Sequence, residues 1–184
     1  LVVYHGTDKA FDRFSGTQGN WFADNPKFSS EFASDMGGNI HPVYLSLKNP
    51  LDFNKVFTDA RQRLTKKEFE EGLRSIVGKD DNMLSIALSD AIAYSDEFEG
   101  EESQYDEWTV AYEFTDLFTD ENGVMSNWAK DLGYDGIVVP EDFNMSEIVQ
   151  TYAVFEPTQI KSIFNKGTFN PHDPRISFRM APTN

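Results

Sequence analysis

The stretch "VVYHGT", residues 2–7, ends a short apolar run on His5, one of only 3 histidines in the chain. An imidazole donates and accepts hydrogen bonds at once, Gly6 lets another group come close to the backbone, and Thr7 adds a small hydroxyl that also does both. Some dozen residues on, "GNWFADNPKFSSEFA" sets Gly19 ahead of two aromatics, Trp21 and Phe22, and then offers Asn25 and Pro26 as a helix start. On that helix Ser29 and Phe32 fall three apart and share a face. A hydrogen-bonding strand end, flat aromatic surfaces and a helix hydroxyl are parts suited to gripping a ligand. Each taken alone also fits plain core packing, and Phe22 is read that way.

Other chemistries find less support. With no cysteine, disulfides, thiolate catalysis and thiolate metal sites are excluded. His41 and His172 lack nearby carboxylates at helical metal-ligand spacing, so no metal site is expected. No "GxxxxGK" or "GxGxxG" cradles a phosphate, no G-x-S-x-G marks a serine hydrolase, and "DDNMLSIALSD" lacks the acidic spacing of a calcium loop. The pair Gly37 and Gly38 reads as a loop.

The elements that must position these residues change character twice along the chain. Residues 1–54 show strand and turn patterns with one short helix from about Asn25 to Ser34 and the alternating "HPVYLSLKNP". Residues 55–129 are helical in pattern. They include "TKKE", whose Ser/Thr-x-x-Glu spacing can satisfy two amides at a helix start, then "NMLSIALSDAIAY" and "DEWTVAYEFTDLF" around the acidic loop "SDEFEGEESQ". Strands return after Gly133 in "GYDGIVVP" and "TYAVFEP", followed by "TQIKSIF", with Lys161 and Lys166 read as surface residues, and residues 171–184 read as an extended arm packed on the surface. The expected fold is α/β (α+β), a single domain with a strand-rich core at 1–54 and 130–170 and a helical insertion at 55–129.

A length of 184 residues suits one domain, and 39% hydrophobic with 14% aromatic residues suits a packed core. The formal net charge is -15, and no Lys or Arg occurs between Lys79 and Lys130. Such a surface repels phosphate backbones, so a nucleic-acid partner is disfavoured and a protein with a basic face is expected. No stretch approaches the roughly 18 apolar residues of a membrane span, and no basic region precedes a long apolar segment. Neither membrane association nor secretion by a standard signal is expected, and the expected location is a host or bacterial cytoplasm.

Four segments together, "VYHGT", "GNWFADNP", "LGYDGIVVP" and "TYAVFEPTQIKSIFN", resemble the ADP-ribosyltransferases of the His-Tyr-Glu group, which includes the poly(ADP-ribose) polymerases and diphtheria toxin. The likeness is closest to the transferase domains of phage and mobile-element polyvalent proteins, and it covers roughly residues 2–50 and 130–170. It implies two small packed sheets flanking a cleft for NAD+, used as a co-substrate without a metal. It further implies that His5 bonds the adenosine ribose and that the Gly6 backbone, beside Thr7, pairs with the nicotinamide carboxamide. Ser29 would bind the same carboxamide, and Trp21 and Phe32 would sandwich the nicotinamide ring.

Breaking the nicotinamide glycosidic bond develops positive charge on the ribose, which calls for negative charge beside it. In the family this comes from a glutamate at the start of a late strand, where the present sequence has Thr151. A threonine can hydrogen-bond a hydroxyl but carries no charge near neutral pH. The candidates to compensate are Gln150, if a bulge re-aims it, Glu147, read as lying in the preceding loop, and an acidic residue of the acceptor itself. The expected activity is mono-ADP-ribosylation of a protein by a phage or bacterial effector or toxin. The alternatives are a catalytically inactive NAD-binding or protein-interaction module and an NAD glycohydrolase.

Overall fold

The computed structural model describes residues 1–8, 13–14, 20–33, 38–55, 64–86, 104–105, 124–144, 146–165 and 172–176. Among the described residues there are nine strands: β1 (Val2–Thr7), β2 (Asn20–Ala23), β3 (Asn39–Leu45), β4 (Leu51–Asp52), β5 (Leu64–Thr65), β6 (Gln104–Tyr105), β7 (Gly136–Phe143), β8 (Glu147–Val154) and β9 (Ile160–Ser162). The helices are α1 (Pro26–Glu31), α2 (Lys66–Val77) and α3 (Val124–Asp131), with 3-10 turns at Phe53–Lys55 and Pro157–Gln159. Residues 81–86 are helical as well.

Seven strands form one mixed sheet in the order β4-β7-β8-β2-β1-β3-β9. The expectation of two separate small sheets is corrected accordingly, although the division it anticipated is visible at one joint. The β1–β2 contact has a single register pair, Tyr4 with Ala23, whereas β1 pairs with β3 over six residues and β2 with β8 over four. The two half-sheets, β4-β7-β8-β2 and β1-β3-β9, therefore diverge past Tyr4.

Side-chain alternation sends each strand's residues to two faces. Val3, Phe14, Phe22, Val43, Val154, Ile160 and Ile176 pack as one cluster. Leu51, Phe53, Ile137, Val139, Ala153 and Phe155 form the other, together with Val77, Leu84, Trp128 and Ala129. The last four belong to the segment read as an insertion, so its described helices share a core with the sheet. The start of α2 follows Thr65, as "TKKE" predicts. The short ladder of β5 with β6 was not foreseen, since Gln104 falls in the stretch read as an acidic loop. "DEWTVAYEFTDLF" lies outside the described residues.

Two motifs that carried the family likeness turn out to be structural joints. In "LGYDG", Gly133 at φ 86° closes α3 in the left-handed region, with its amide on the Lys130 carbonyl and the Tyr134 amide on the Ala129 carbonyl. Asp135 then accepts from the amides of Lys48 (2.7 Å) and Asn49 (2.9 Å) and so pins the β3–β4 connection to β7. In "PTQIKS", the Gln159 amide donates to the carbonyls of Asp135 (2.7 Å) and Ser46 (3.0 Å). Lys161, read from the sequence as a surface residue, is buried at 5% exposure. Its ammonium donates to the carbonyls of Asp173 and Arg175, which fastens the C-terminal arm to β9. Burial pushes the Lys161 pKa down, opposed by the Asp173 charge. Lys166 lies outside the described residues. Among the described residues, no helix is long and apolar enough to cross a membrane.

Candidate functional site

The candidate site begins where β1 and β2 part. At that point the His5 side chain replaces a backbone bond: Nδ1 lies 2.8 Å from the Trp21 carbonyl oxygen. A carbonyl can only accept, so Nδ1 carries the proton of the neutral ring and Nε2 carries none. Burial lowers the His5 pKa, which keeps the ring neutral, and the bond to Trp21 works against that shift. The imidazole packs edge-on to Phe14 (5.0 Å) and tilted against Phe22 (5.5 Å).

Trp21, one residue before Phe22, faces the other way and packs against the second cluster. The sequence-based expectation that the imidazole and the indole line one shared crevice is therefore corrected. The two rings lie on opposite faces of the sheet and are coupled through the Trp21 carbonyl, because adjacent strand residues alternate. The indole Nε1 is buried with no hydrogen-bond partner among the described residues. Leaving such a donor unsatisfied costs about 1–3 kcal/mol.

Helix α1 covers the Trp21 face. Asn25 caps it, its Oδ1 accepting from the amides of Lys27 (2.8 Å) and Phe28 (3.4 Å), with Pro26 at the first helical position as the sequence predicts. The buried Ser29 hydroxyl donates to the Tyr4 carbonyl at 2.9 Å, which bolts the helix to β1 and leaves the oxygen its acceptor capacity. Gly6 makes this docking possible, since a Cβ there would lie 1.7 Å from the Ser29 carbonyl oxygen. Thr7 ends β1, paired with Asn39. Phe32 caps α1 and is 64% exposed, resting on Phe28 at 5.4 Å, while Phe28 meets Phe143 of β7 edge-on at 5.6 Å. Helix α1 thus spans from β1 to β7 over the face that holds Trp21.

Thr151 lies on that same face, opposite Ala23 on one side and Val139 on the other. It is 3% exposed, and its hydroxyl is 2.7 Å from Glu141 Oε1 and 3.1 Å from the Val139 carbonyl. Glu141 comes from the neighbouring strand β7, two residues past Thr151's partner, and no reading of the sequence singled it out. The signal was available in principle. In a hairpin of β7 and β8 whose alternation is fixed by buried Ile137 and Val139, Glu141 falls on the buried face, where an acid is out of place.

The other two candidates do not join this group. Glu147 is exposed and opens β8 instead of lying in a loop, paired with Phe143. It shares Thr151's face but stands four residues away, about 13 Å along the strand. Gln150 faces the opposite side, and no bulge re-aims it. Its carboxamide exchanges hydrogen bonds with Asn54 at 2.9 and 3.2 Å.

Burial raises the Glu141 pKa, and the Thr151 hydrogen bond opposes the shift. A carboxyl whose folded pKa lies above its unfolded value contributes stability that is present below the unfolded value and lost as pH rises through the folded one. Gln does not titrate. The melting temperature of Glu141→Gln relative to the wild type should therefore increase from about pH 4 to about pH 7.5, and a flat difference across that range would contradict the burial of this charge.

No curated protein and no solved structure matches the chain. A family model described as "ADP-Ribosyltransferase in polyvalent proteins" matches residues 1–169. With nearly the whole chain matched, and with the split sheet, the capped α1 and the strand-end histidine in place, the chain belongs to the family of ADP-ribosyltransferases found in polyvalent proteins.

Proposed function

We propose that this protein is a mono-ADP-ribosyltransferase that cleaves NAD+ at the nicotinamide glycosidic bond and transfers ADP-ribose to a protein acceptor. The observation that carries this reading is the joint at the β1–β2 split. There the unprotonated nitrogen of His5 lies on one face, and on the other lie Gly6, the buried Ser29, the Trp21 Nε1, which has no partner among the described residues, and the exposed Phe32 ring at the end of α1. A bent dinucleotide lying across the split meets both faces. The His5 Nε2 accepts from the adenosine ribose, the strand end at Gly6 and Thr7 and the Ser29 oxygen hold the carboxamide, and Trp21 and Phe32 flank the cationic ring, whose charge favours an aromatic face. These contacts fix the bond to be broken in one orientation and exclude water from it, which is most of what such a reaction asks of a protein.

The acidic surface selects an acceptor with a basic face. Incubation with labelled NAD+ and host lysate tests the reading. The wild type should label protein less efficiently as salt is raised, and His5→Ala and Trp21→Ala should each lose about a hundredfold or more of the transfer. Nicotinamide release without any labelled acceptor would identify a glycohydrolase instead, and neither release nor labelling would identify a binding module.

A further inference from the structure

We propose that Glu141 supplies the carboxylate of the NAD+ cleft that the family takes from the late strand, with Thr151 as the residue that positions it; this rests on the function proposed above. Three observations support the assignment. Thr151 occupies the family position, is nearly sealed, and turns its hydroxyl toward Glu141 at 2.7 Å, so the carboxylate ends within hydrogen-bond reach of the side chain at position 151. Glu141 also lies on the face shared by Trp21, Ala23 and Thr151, because Trp21 pairs with Ala153, Ala23 with Thr151, Thr151 with Val139 and Val149 with Glu141. Finally, Thr151 is the only hydrogen-bond partner of this carboxylate among the described residues, which leaves Oε2 to a ligand hydroxyl or an incoming nucleophile. A half-buried acid whose one partner is neutral has little to offset its desolvation.

The step balances as follows. The bond from ribose C1′ to the nicotinamide nitrogen breaks, its electron pair stays on that nitrogen, and neutral nicotinamide leaves. The acceptor's oxygen forms the new bond to C1′ and its proton passes to the Glu141 carboxylate, whose negative charge meanwhile faces the cationic carbon. A site of low polarity strengthens that attraction, and a carboxyl pushed above its ordinary range is the better base.

The test compares wild type, Glu141→Gln, Thr151→Val and Thr151→Ser by nicotinamide release, by NAD+ affinity and by melting temperature. We expect Glu141→Gln to keep the fold and to bind NAD+ within about threefold of the wild type, while release falls at least about a hundredfold. Thr151→Val, which removes the hydroxyl at constant volume, should lower the rate with affinity little changed, and Thr151→Ser should restore it. If Glu141→Gln turns over NAD+ like the wild type, or if Glu147→Gln abolishes release while Glu141→Gln does not, the assignment is overturned and the enzyme reading stands. A wild type that neither binds nor cleaves NAD+ overturns both.

Discussion

Gly6→Ala should lose the docking of α1 and the handling of NAD+ together. The added Cβ would stand 1.7 Å from the Ser29 carbonyl oxygen and 2.8 Å from its carbonyl carbon, both main-chain atoms that no rotamer change can move. Helix α1 must then lift by more than an ångström, which breaks the Ser29 hydroxyl's bond to Tyr4 and moves Phe28 off Phe143. Overpacking of this kind costs about 3 kcal/mol, equivalent to roughly 6–12 °C in melting temperature for a chain of this size. The same displacement carries Phe32 and Ser29 out of the site, so turnover should fall even at temperatures where the variant is folded. Thermal melting and nicotinamide release on one preparation check both halves, and a Gly6→Ala protein melting within about 2 °C of the wild type would show that α1 does not sit as described. The glycine of "HGT" is thus required by a helix packed on it, whatever its backbone also does for a ligand.

The same residue shows what the sequence could and could not disclose. The strand end, the capped helix and the late hairpin were legible because each is written locally: alternation for β1, Asn-Pro for α1, and a Gly-flanked apolar run for β7. Which face each ring would take was not. Trp21 and Phe22 are adjacent, and only the pairing of β2 with β8 and its partial separation from β1 decides that Phe22 joins His5 while Trp21 joins the opposite core. Lys161 was misread for a related reason. Its burial depends on carbonyls of Asp173 and Arg175, a dozen residues away and brought back by the arm, and no window around Lys161 records them.

Glu141 is the instructive omission, because a search confined to the strand that carries the family's glutamate looks along the chain, whereas a sheet also supplies neighbours sideways. Cross-strand and diagonal partners lie within side-chain reach, so a carboxylate can move to the adjacent strand while its charge stays near the same point in space. Under the proposed assignment, Thr151 marks a relocation of the carboxylate and not its loss. Glu147 shares that face but stands about 13 Å along the strand from Thr151.

The segment between the two halves of the motif leads to the other large effect. Trp128 of α3 is buried among Phe53, Ile137, Ala153 and Phe155 of the sheet core and Val77 and Leu84 of the preceding helices. Trp128→Ala should therefore destabilise the whole fold by about 3–5 kcal/mol, the cost of a large cavity where neighbours relax only in part, and lower the melting temperature by roughly 10 °C. Leu132→Ala, on an exposed side chain just past the same helix, should shift it by less than about 0.5 kcal/mol. If residues 55–129 served only to choose an acceptor, the Trp128 variant would melt normally and change its protein targets alone. The packing argues otherwise, because Trp21 rests against this same cluster and its indole is held in place by what lies behind it. Loss of Trp128 should accordingly weaken NAD+ binding at temperatures where the variant remains folded. A double-mutant cycle between Trp128→Ala and Trp21→Phe, read in NAD+ affinity, should be non-additive by at least about 0.5 kcal/mol, and strict additivity would separate the segment from the site.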